Sequence, residues 1–224
     1  MAFAQKVGNR RAEMVACVTN CRGLYELGEF EEATKNIELG LEIAENLGAE
    51  RFKAFLSIFL AQIQWATQGP GQDIDALMDR TAEISRKSSS GFLGPWVLGT
   101  LALVSSDPDR SRKAQHDAEV ILAGDCVGPN YLAFYELAME VCLRLEDWNE
   151  LDRYADALEA YWRTEPLPRA DFYIARGRAL LQYGRKALDD ATMGTLRRLR
   201  EEATQVGLQS ALPALKPVLR EAEP

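Results

Sequence analysis

The sequence predicts an all-α protein built of stacked antiparallel helical hairpins. Apolar residues recur at intervals of three and four along nearly the whole chain, which is the spacing of an amphipathic helix rather than of a strand. Glycine, proline and serine clusters divide the 224 residues into ten or eleven runs of helical length. The runs pair with a period of about 38–40 residues, which indicates a repeated two-helix unit.

Glycines and two short linkers divide the first half of the chain. Gly28 and Gly48 follow the first two helices in the position of C-cap glycines. The Gly-Pro-Gly segment at 69–71 breaks the chain after the third helix, and the serine-rich segment at 88–91 predicts a flexible link after the fourth. The predicted helices span residues 10–27, 30–47, 50–67, 73–88, 93–105, 109–123, 129–145, 148–163, 169–184, 190–206 and 209–222.

Prolines mark several of the later helix starts. Asp107 and Pro108 predict an N-cap followed by a proline in the first helical position. Gly94 and Pro95 are a weaker form of the same pairing and predict that the fifth helix begins there. Two further prolines, Pro166 and Pro168, separate the eighth and ninth helices.

The predicted helices pair into five hairpins, at 10–47, 50–88, 93–123, 129–163 and 169–206. One hairpin cannot bury its own apolar stripe, whereas stacked neighbours can, so we expect a single domain over residues 1–224. The final helix would cap the array with one apolar side, although Pro213 and Pro217 weaken that prediction. Its apolar residues are Leu212, Leu215, Val218 and Leu219.

The hinge at residues 27–33 is the clearest copy of the repeated unit. Cys21 is the small residue at which the second helix can approach, and Leu24 fills the remaining gap. Gly28 lies in the turn, Phe30 fills the space beside it, and the small Ala33 lets the second helix pack closely against the first. This order of roles predicts a tetratricopeptide-like right-handed superhelix. Later hairpins keep weaker copies of these roles at Gly99, Trp148, Gly177 and Gly184.

Composition favours a soluble protein of the reducing cytoplasm. The net charge of −8 disfavours nucleic acid and anionic membranes as partners. No apolar run is long enough to cross a membrane, and residues 1–6 lack the features of a secretion signal. Four cysteines are too few for a disulfide framework.

No motif in the sequence predicts a catalytic, cofactor or metal site, so we expect no enzyme activity. Phosphate-binding loops and nucleophile elbows are both missing. Cys17 and Cys21 share a helix face at a spacing that could suit a metal, but they also fit buried thiols. The single histidine, His116, lies in a charged run and is expected to be solvated. The basic run at 197–200 is interpreted as a salt-bridged helix face, with a nucleic-acid patch as the alternative.

The third helix is apolar on almost every side. Such a helix is either fully buried or holds a partner. The first interpretation makes it a core helix, and the second places Phe59 and Ile63 on an adhesive surface.

The first helices of the hairpins would line a concave groove, and their register predicts which residues face it. A lining that is aromatic, apolar and mixed in charge suits a helix or another domain. It lacks the clustered lysines and asparagines that a clamp for a C-terminal carboxylate needs. The predicted partner-binding residues are Val18, Arg22, Tyr25, Phe59, Ile63, Trp96, Thr100, Glu136, Glu140, Ile174 and Arg178.

The chain resembles the C-terminal tetratricopeptide-like region of large bacterial regulators. Those proteins join a class III adenylate/guanylate cyclase domain, an AAA-type ATPase and a helical-repeat tail. The similar segments are GNRRAE at 8–13, RGLYELGEFEEA at 22–33, LGPWVLG at 93–99, DPDR at 107–110 and residues 147–178. Because the chain has neither a phosphate loop nor a cyclase domain, the resemblance implies a regulatory or sensory module and not cyclase activity.

The leading hypothesis is therefore a non-catalytic module that binds a protein or peptide partner, or other domains of a parent protein. Self-association into a homodimer, through the third helix or the last hairpin, is the second hypothesis. The third is a small-molecule sensor with a pocket near Tyr135, Tyr173 and Arg176.

Overall fold

The computed structural model describes residues 6–88, 90–124 and 126–221. Within those residues there are eleven α-helices and one 3₁₀ turn, and no β-strand occurs. The all-α prediction is therefore confirmed for the described chain. The helices are α1 Arg10–Glu26, α2 Phe30–Asn46, α3 Glu50–Gln68, α4 Gln72–Ser88, α5 Ser90–Val104, α6 Pro108–Leu122, α7 Pro129–Leu145, α8 Trp148–Trp162, α9 Pro168–Gly184, α10 Asp190–Val206 and α11 Lys216–Glu221.

The glycines after the first two helices act as predicted. Gly28 and Gly48 have φ values of 74° and 60°, a region that L-residues with a side chain rarely adopt. Gly28 donates its N–H to the Tyr25 carbonyl at 3.0 Å, and Glu29 donates to the Leu24 carbonyl at 2.9 Å. These two bonds close the end of α1, and an equivalent pair closes α2.

The predicted start of the fifth helix at Gly94 and Pro95 is wrong, because α5 begins at Ser90 and holds Pro95 inside it. A proline has no N–H, so the carbonyl four residues earlier, on Gly91, loses its helical partner. Asn130, which is fully buried, donates its side-chain amide to that carbonyl at 3.0 Å. The Val127 N–H donates to it as well, at 3.2 Å. Donors from Val127 and from Asn130 at the start of α7 thus make the internal proline tolerable.

The predicted flexible link at 88–91 is also largely helical. Ser88 ends α4 and Ser90 begins α5, whereas Ser89 lies outside the described residues.

The predicted final helix at 209–222 is broken in two. A 3₁₀ turn covers Gln209–Ala211, and α11 covers only Lys216–Glu221. Pro213 cannot supply the N–H that a continuous helix would need. The predicted apolar side is nevertheless buried at Leu215, Val218 and Leu219. Residue 222, the last of the predicted helix, lies outside the described residues.

The chain divides into two compact units, Met1–Asn130 and Tyr131–Pro224. We call them unit 1 and unit 2 and describe each by itself. The expectation of a single domain over residues 1–224 stays a prediction.

In unit 1 the helices pack as successive hairpins. Each helix from α1 to α6 contacts the next one along the chain. In addition, α1 contacts α3, and α3 contacts α5. The first helices of the three hairpins therefore share one layer, which we call the first-helix layer. Because α3 lies between two other members of that layer, it is buried on several sides, and this explains why it is apolar nearly all round.

In unit 2 the helices from α8 to α11 also pack in succession. α8 contacts α9, α9 contacts α10, and α10 contacts α11. The first helices of its two hairpins, α7 and α9, also meet, because Glu136 of α7 forms an ion pair with Arg169 of α9. Gly177 of α9 lies so close to α7 that a Cβ atom there would lie 3.3 Å from the Met139 sulfur.

Candidate functional site

Three of the predicted binding residues of unit 1, Tyr25, Phe59 and Trp96, come together in one aromatic cluster. We define it as Tyr25, Phe30, Phe55, Phe59 and Trp96, which lie on α1, α2, α3 and α5. The Phe59 ring is central, with centroids 5.9 Å from Tyr25, 5.8 Å from Phe55 and 5.7 Å from Trp96. Phe55 and Trp96 meet edge to face at 4.9 Å. Such pairs add to the stability gained from burial alone.

The centre of the first-helix layer is core and not an open surface, whereas Tyr25, Phe30 and Phe55 of the cluster are partly exposed. Phe59 is 2% exposed, Ile63 4% and Trp96 7%, and Thr100 is fully buried. The interpretation of Phe59 and Ile63 as an adhesive surface is therefore wrong, and the core interpretation is confirmed. The physical reason is that α1 and α5 cover both flanks of α3.

Thr100 contributes a buried hydrogen bond instead of a contact surface. Its hydroxyl accepts from the Gln62 side-chain amide at 3.0 Å, which joins α3 to α5. A buried polar pair of this kind is stable only when its partners are aligned, so it specifies how the two helices pack.

The predicted residues of α1 are the accessible part of the layer. Val18, Arg22 and Tyr25 are each partly exposed. The Arg22 guanidinium carbon lies 5.3 Å from the centroid of the Trp96 ring, which is a cation–π distance. Within the described residues, the Arg22 guanidinium makes no ion pair and no hydrogen bond.

The predicted residues of unit 2 form charge pairs. The Glu136 carboxylate accepts two hydrogen bonds from the Arg169 guanidinium, at 2.7 and 2.8 Å. Glu140 pairs with Arg176, which is 1% exposed. Both arginines also lie against the Tyr173 ring, at 5.1 and 4.9 Å from its centroid.

Arg176 is held by the chain on more than one side. Its Nη1 donates to the Ala211 carbonyl at 2.7 Å, so it also anchors the 3₁₀ turn of the C-terminal segment. Burial lowers the pKa of Arg176 to about 10, against the opposing effect of the Glu136 carboxylate. The group therefore stays protonated near neutral pH. Tyr173 and Arg176, two residues of the predicted small-molecule pocket, are thus already in contact with other groups of the chain.

Ile174 and Arg178 do not join Glu136 and Glu140. Ile174 is 6% exposed, and Arg178 faces α8, where it binds Asp156 at 2.7 Å and Glu159 at 2.8 Å. Hydrogen bonds from Arg178, chiefly, lower the pKa of Glu159. The face of α9 that meets α7 instead carries Arg169, Tyr173 and Arg176. Their spacing of four and three residues was the signal available in the sequence.

The two cysteines of α1 are buried thiols. Cys17 and Cys21 are both fully buried, and burial raises the pKa of Cys21 to about 12. A thiol with a raised pKa is a poor nucleophile and a poor metal ligand. In the described part of the chain, no three His, Cys, Asp or Glu side chains form a group that could hold a metal ion.

The remaining sequence features are on the surface. His116 is exposed, as predicted. In the basic run, Arg198 pairs with Glu202 at 3.2 Å, which fits the salt-bridged interpretation.

None of the helices within the described residues is both long and apolar enough to cross a membrane.

A shallow depression of about 590 Å³ lies beside the hinge of the first hairpin. The second-helix start at Phe30 forms one wall and Thr67 of α3 lies on another. Its other lining residues are Gly28, Glu29, Glu31, Glu32 and Lys35.

Comparison of the chain with models of protein families, with curated proteins and with solved structures gives no match.

Proposed function

We propose that this protein is a non-catalytic helical-repeat module that binds a protein or peptide partner. The proposal includes a tetratricopeptide-like superhelical arrangement, a regulatory or sensory role in a signalling protein, and a cytoplasmic location. One observation carries it: α1, α3 and α5 share a layer while each also pairs with its own second helix. This arrangement is how repeat proteins produce an extended face for a partner.

The part of that face available to a partner is on α1. Val18, Arg22 and Tyr25 are partly exposed, one turn apart, along one side of the helix. The buried rings of Phe59 and Trp96 lie directly behind Tyr25 and Arg22. A rigid aromatic support reduces the entropy lost when a partner binds, and such positions are frequent hot spots.

The polar groups on the first helices of both units support a scaffold and not a catalyst. Glu136 and Glu140 are each occupied by an arginine, and Thr100 is occupied by Gln62. Side chains that are paired with a neighbouring helix in this way hold the helices in register. The raised pKa of the Cys21 thiol points in the same direction.

Tyr25→Ala tests the proposal. The probe is a random peptide library, selected on the full chain, followed by affinity measurement with the peptides that it yields. We expect the substitution to weaken binding by about 1–3 kcal/mol, because it removes a supported aromatic contact. The matched control is Tyr161→Ala, a tyrosine that is 38% exposed and lies on α8, outside the first-helix layer. Failure to select any peptide, or equal losses in both variants, would contradict the proposal.

Two observations bear on the alternative functions, self-association and small-molecule binding. Self-association through α3 required Phe59 and Ile63 to be exposed, and both are buried. A small-molecule pocket near Arg176 would have to displace Glu140 or the Ala211 carbonyl. Self-association through the last hairpin stays a prediction, which light scattering at several concentrations tests.

A further inference from the structure

Arg22 differs from three other arginines that are partly or fully buried, Arg110, Arg169 and Arg176. Arg110 pairs with Asp79 at 2.9 Å, Arg169 pairs with Glu136, and Arg176 pairs with Glu140. Arg22 is also partly buried, yet no carboxylate or carbonyl among the described residues accepts from it. A partly desolvated charge without a partner carries a cost that an incoming anion would relieve.

The surroundings of Arg22 hold it in place for such a partner. Its guanidinium lies over the Trp96 ring at 5.3 Å. Trp96 is itself 7% exposed and packed against Phe55 and Phe59, so this platform is rigid. A guanidinium stacked on a ring keeps its edge of N–H donors, and that planar fork matches a carboxylate in two parallel hydrogen bonds.

We propose that Arg22 is the specificity residue of the binding face, and that it recognises the side-chain carboxylate of an aspartate or glutamate within a partner segment. The inference rests on the proposed function and names the chemistry of its partner. The neighbouring Tyr25 and Val18 add an apolar contact beside the charge. The occupant is thus a peptide segment in which an acidic residue lies next to apolar ones.

An internal acidic side chain fits this face better than a chain terminus does. A terminal carboxylate is held by several donors at once, whereas here one arginine is flanked by aromatic and apolar groups. The preference comes from charge complementarity at one point, since the chain as a whole has a net charge of −8 and repels acidic segments elsewhere.

The experiment is a double-mutant cycle across the interface. Peptides are selected from a random library on the full chain, and each is then synthesised in its acidic form and with Glu→Gln or Asp→Asn. Their affinities are measured for the wild type, Arg22→Gln and Arg22→Lys, with thermal melting as the check on folding. The control is Arg11→Gln, which removes the same charge from an exposed position of the same helix.

We expect the selected peptides to be rich in acidic residues and Arg22→Gln to weaken the acidic form by about tenfold or more. The amide form should bind the wild type and Arg22→Gln equally, and Arg11→Gln should change affinity by less than about twofold. Arg22→Lys should recover only part of the loss, because an ammonium cannot make the bidentate pair.

The outcomes separate the two proposals. If peptides bind and Tyr25→Ala weakens them, but Arg22→Gln affects both peptide forms equally, the carboxylate inference is overturned and the interaction module stands. Selection of peptides that are not enriched in acidic residues would likewise overturn the carboxylate inference and leave the interaction module standing. If no peptide binds at all, the proposed function fails and the inference fails with it.

Discussion

Each unit has its own layer of first helices, and the two layers are held together by different chemistry. In unit 1 the first helices meet through rings, with Phe59 at the centre of the aromatic cluster. In unit 2 the corresponding helices, α7 and α9, meet through Glu136–Arg169 and Glu140–Arg176. Apolar contacts stabilise in proportion to the area they bury, whereas a buried charge pair mainly specifies which partner is accepted.

The turns of the two units differ in a related way. In unit 2 the indole of Trp148, at the start of α8, lies directly on Gly184, at the end of α9. In unit 1 Phe30 begins α2 in the matching position, and Thr67 near the end of α3 lies across from it, with the shallow depression beside them. The larger aromatic residue and the smaller turn residue together close the space in unit 2.

Truncation of the ring at the centre of unit 1 should have the largest effect. Phe59→Ala removes a side chain that is 2% exposed and contacts three other rings, so we expect a loss of about 3–5 kcal/mol in the free energy of unfolding. Chemical denaturation measures it. The comparison variant is Phe92→Ala on α5, whose side chain is 43% exposed and which should cost far less. Equal losses would mean that the aromatic cluster is not the core of unit 1.

Removal of one partner of the buried ion pair in unit 2 should have the second-largest effect on stability. Glu140→Leu leaves the Arg176 guanidinium, which is 1% exposed, without its carboxylate, and we expect a loss of about 3 kcal/mol. Adding Arg176→Met should recover part of that loss, because the uncompensated charge is then gone. The free energies of unfolding of the two single variants and the double variant form the cycle. If the double variant is less stable than Glu140→Leu, apolar residues cannot replace the ion pair. Unit 2 would then depend on charge pairing for its stability, whereas unit 1 depends on aromatic packing.

The glycine at the turn of unit 2 should give the smallest of the three effects. A Cβ atom at Gly184 would lie 2.3 Å from the Trp148 ring, so Gly184→Ala must displace a rigid indole, and we expect a cost of about 1–3 kcal/mol. Gly194→Ala in α10 is the control. Its Cβ would meet nothing within 4 Å, and alanine should stabilise that helix by about 0.5–1 kcal/mol. Thermal unfolding of both variants distinguishes them by the sign of the shift.

Local patterns predicted most of the helix bounds. The glycines at 28 and 48 end α1 and α2 because a positive φ is needed there, and that requirement can be seen in the sequence. One exception is Pro95, because the donors that satisfy Gly91 come from Val127 and Asn130, more than thirty residues away. A rule that considers only neighbouring residues cannot anticipate them.

The candidate site was predicted less well, for a related reason. Periodicity places Phe59, Ile63 and Trp96 on the faces turned toward the layer, and they do lie there, but it does not say how much of that face neighbouring helices cover. On α9 the predicted Ile174 lies one position past Tyr173, and the predicted Arg178 lies two positions past Arg176, so neither is on the face that meets α7. A shift of one residue turns a helical side chain by about 100°, which is enough to change its partners.

By itself, then, the sequence determined most of the helices and helix ends and the succession of hairpins, because each of these depends chiefly on residues within a few positions of one another. Only the tertiary structure decided that Phe59 is core, that Glu140 belongs to Arg176, and that Arg22 lies on Trp96 without a carboxylate of its own. Burial and charge pairing depend on which helix covers which face. That is set by contacts between residues far apart in the chain, where hydrophobic periodicity carries no information.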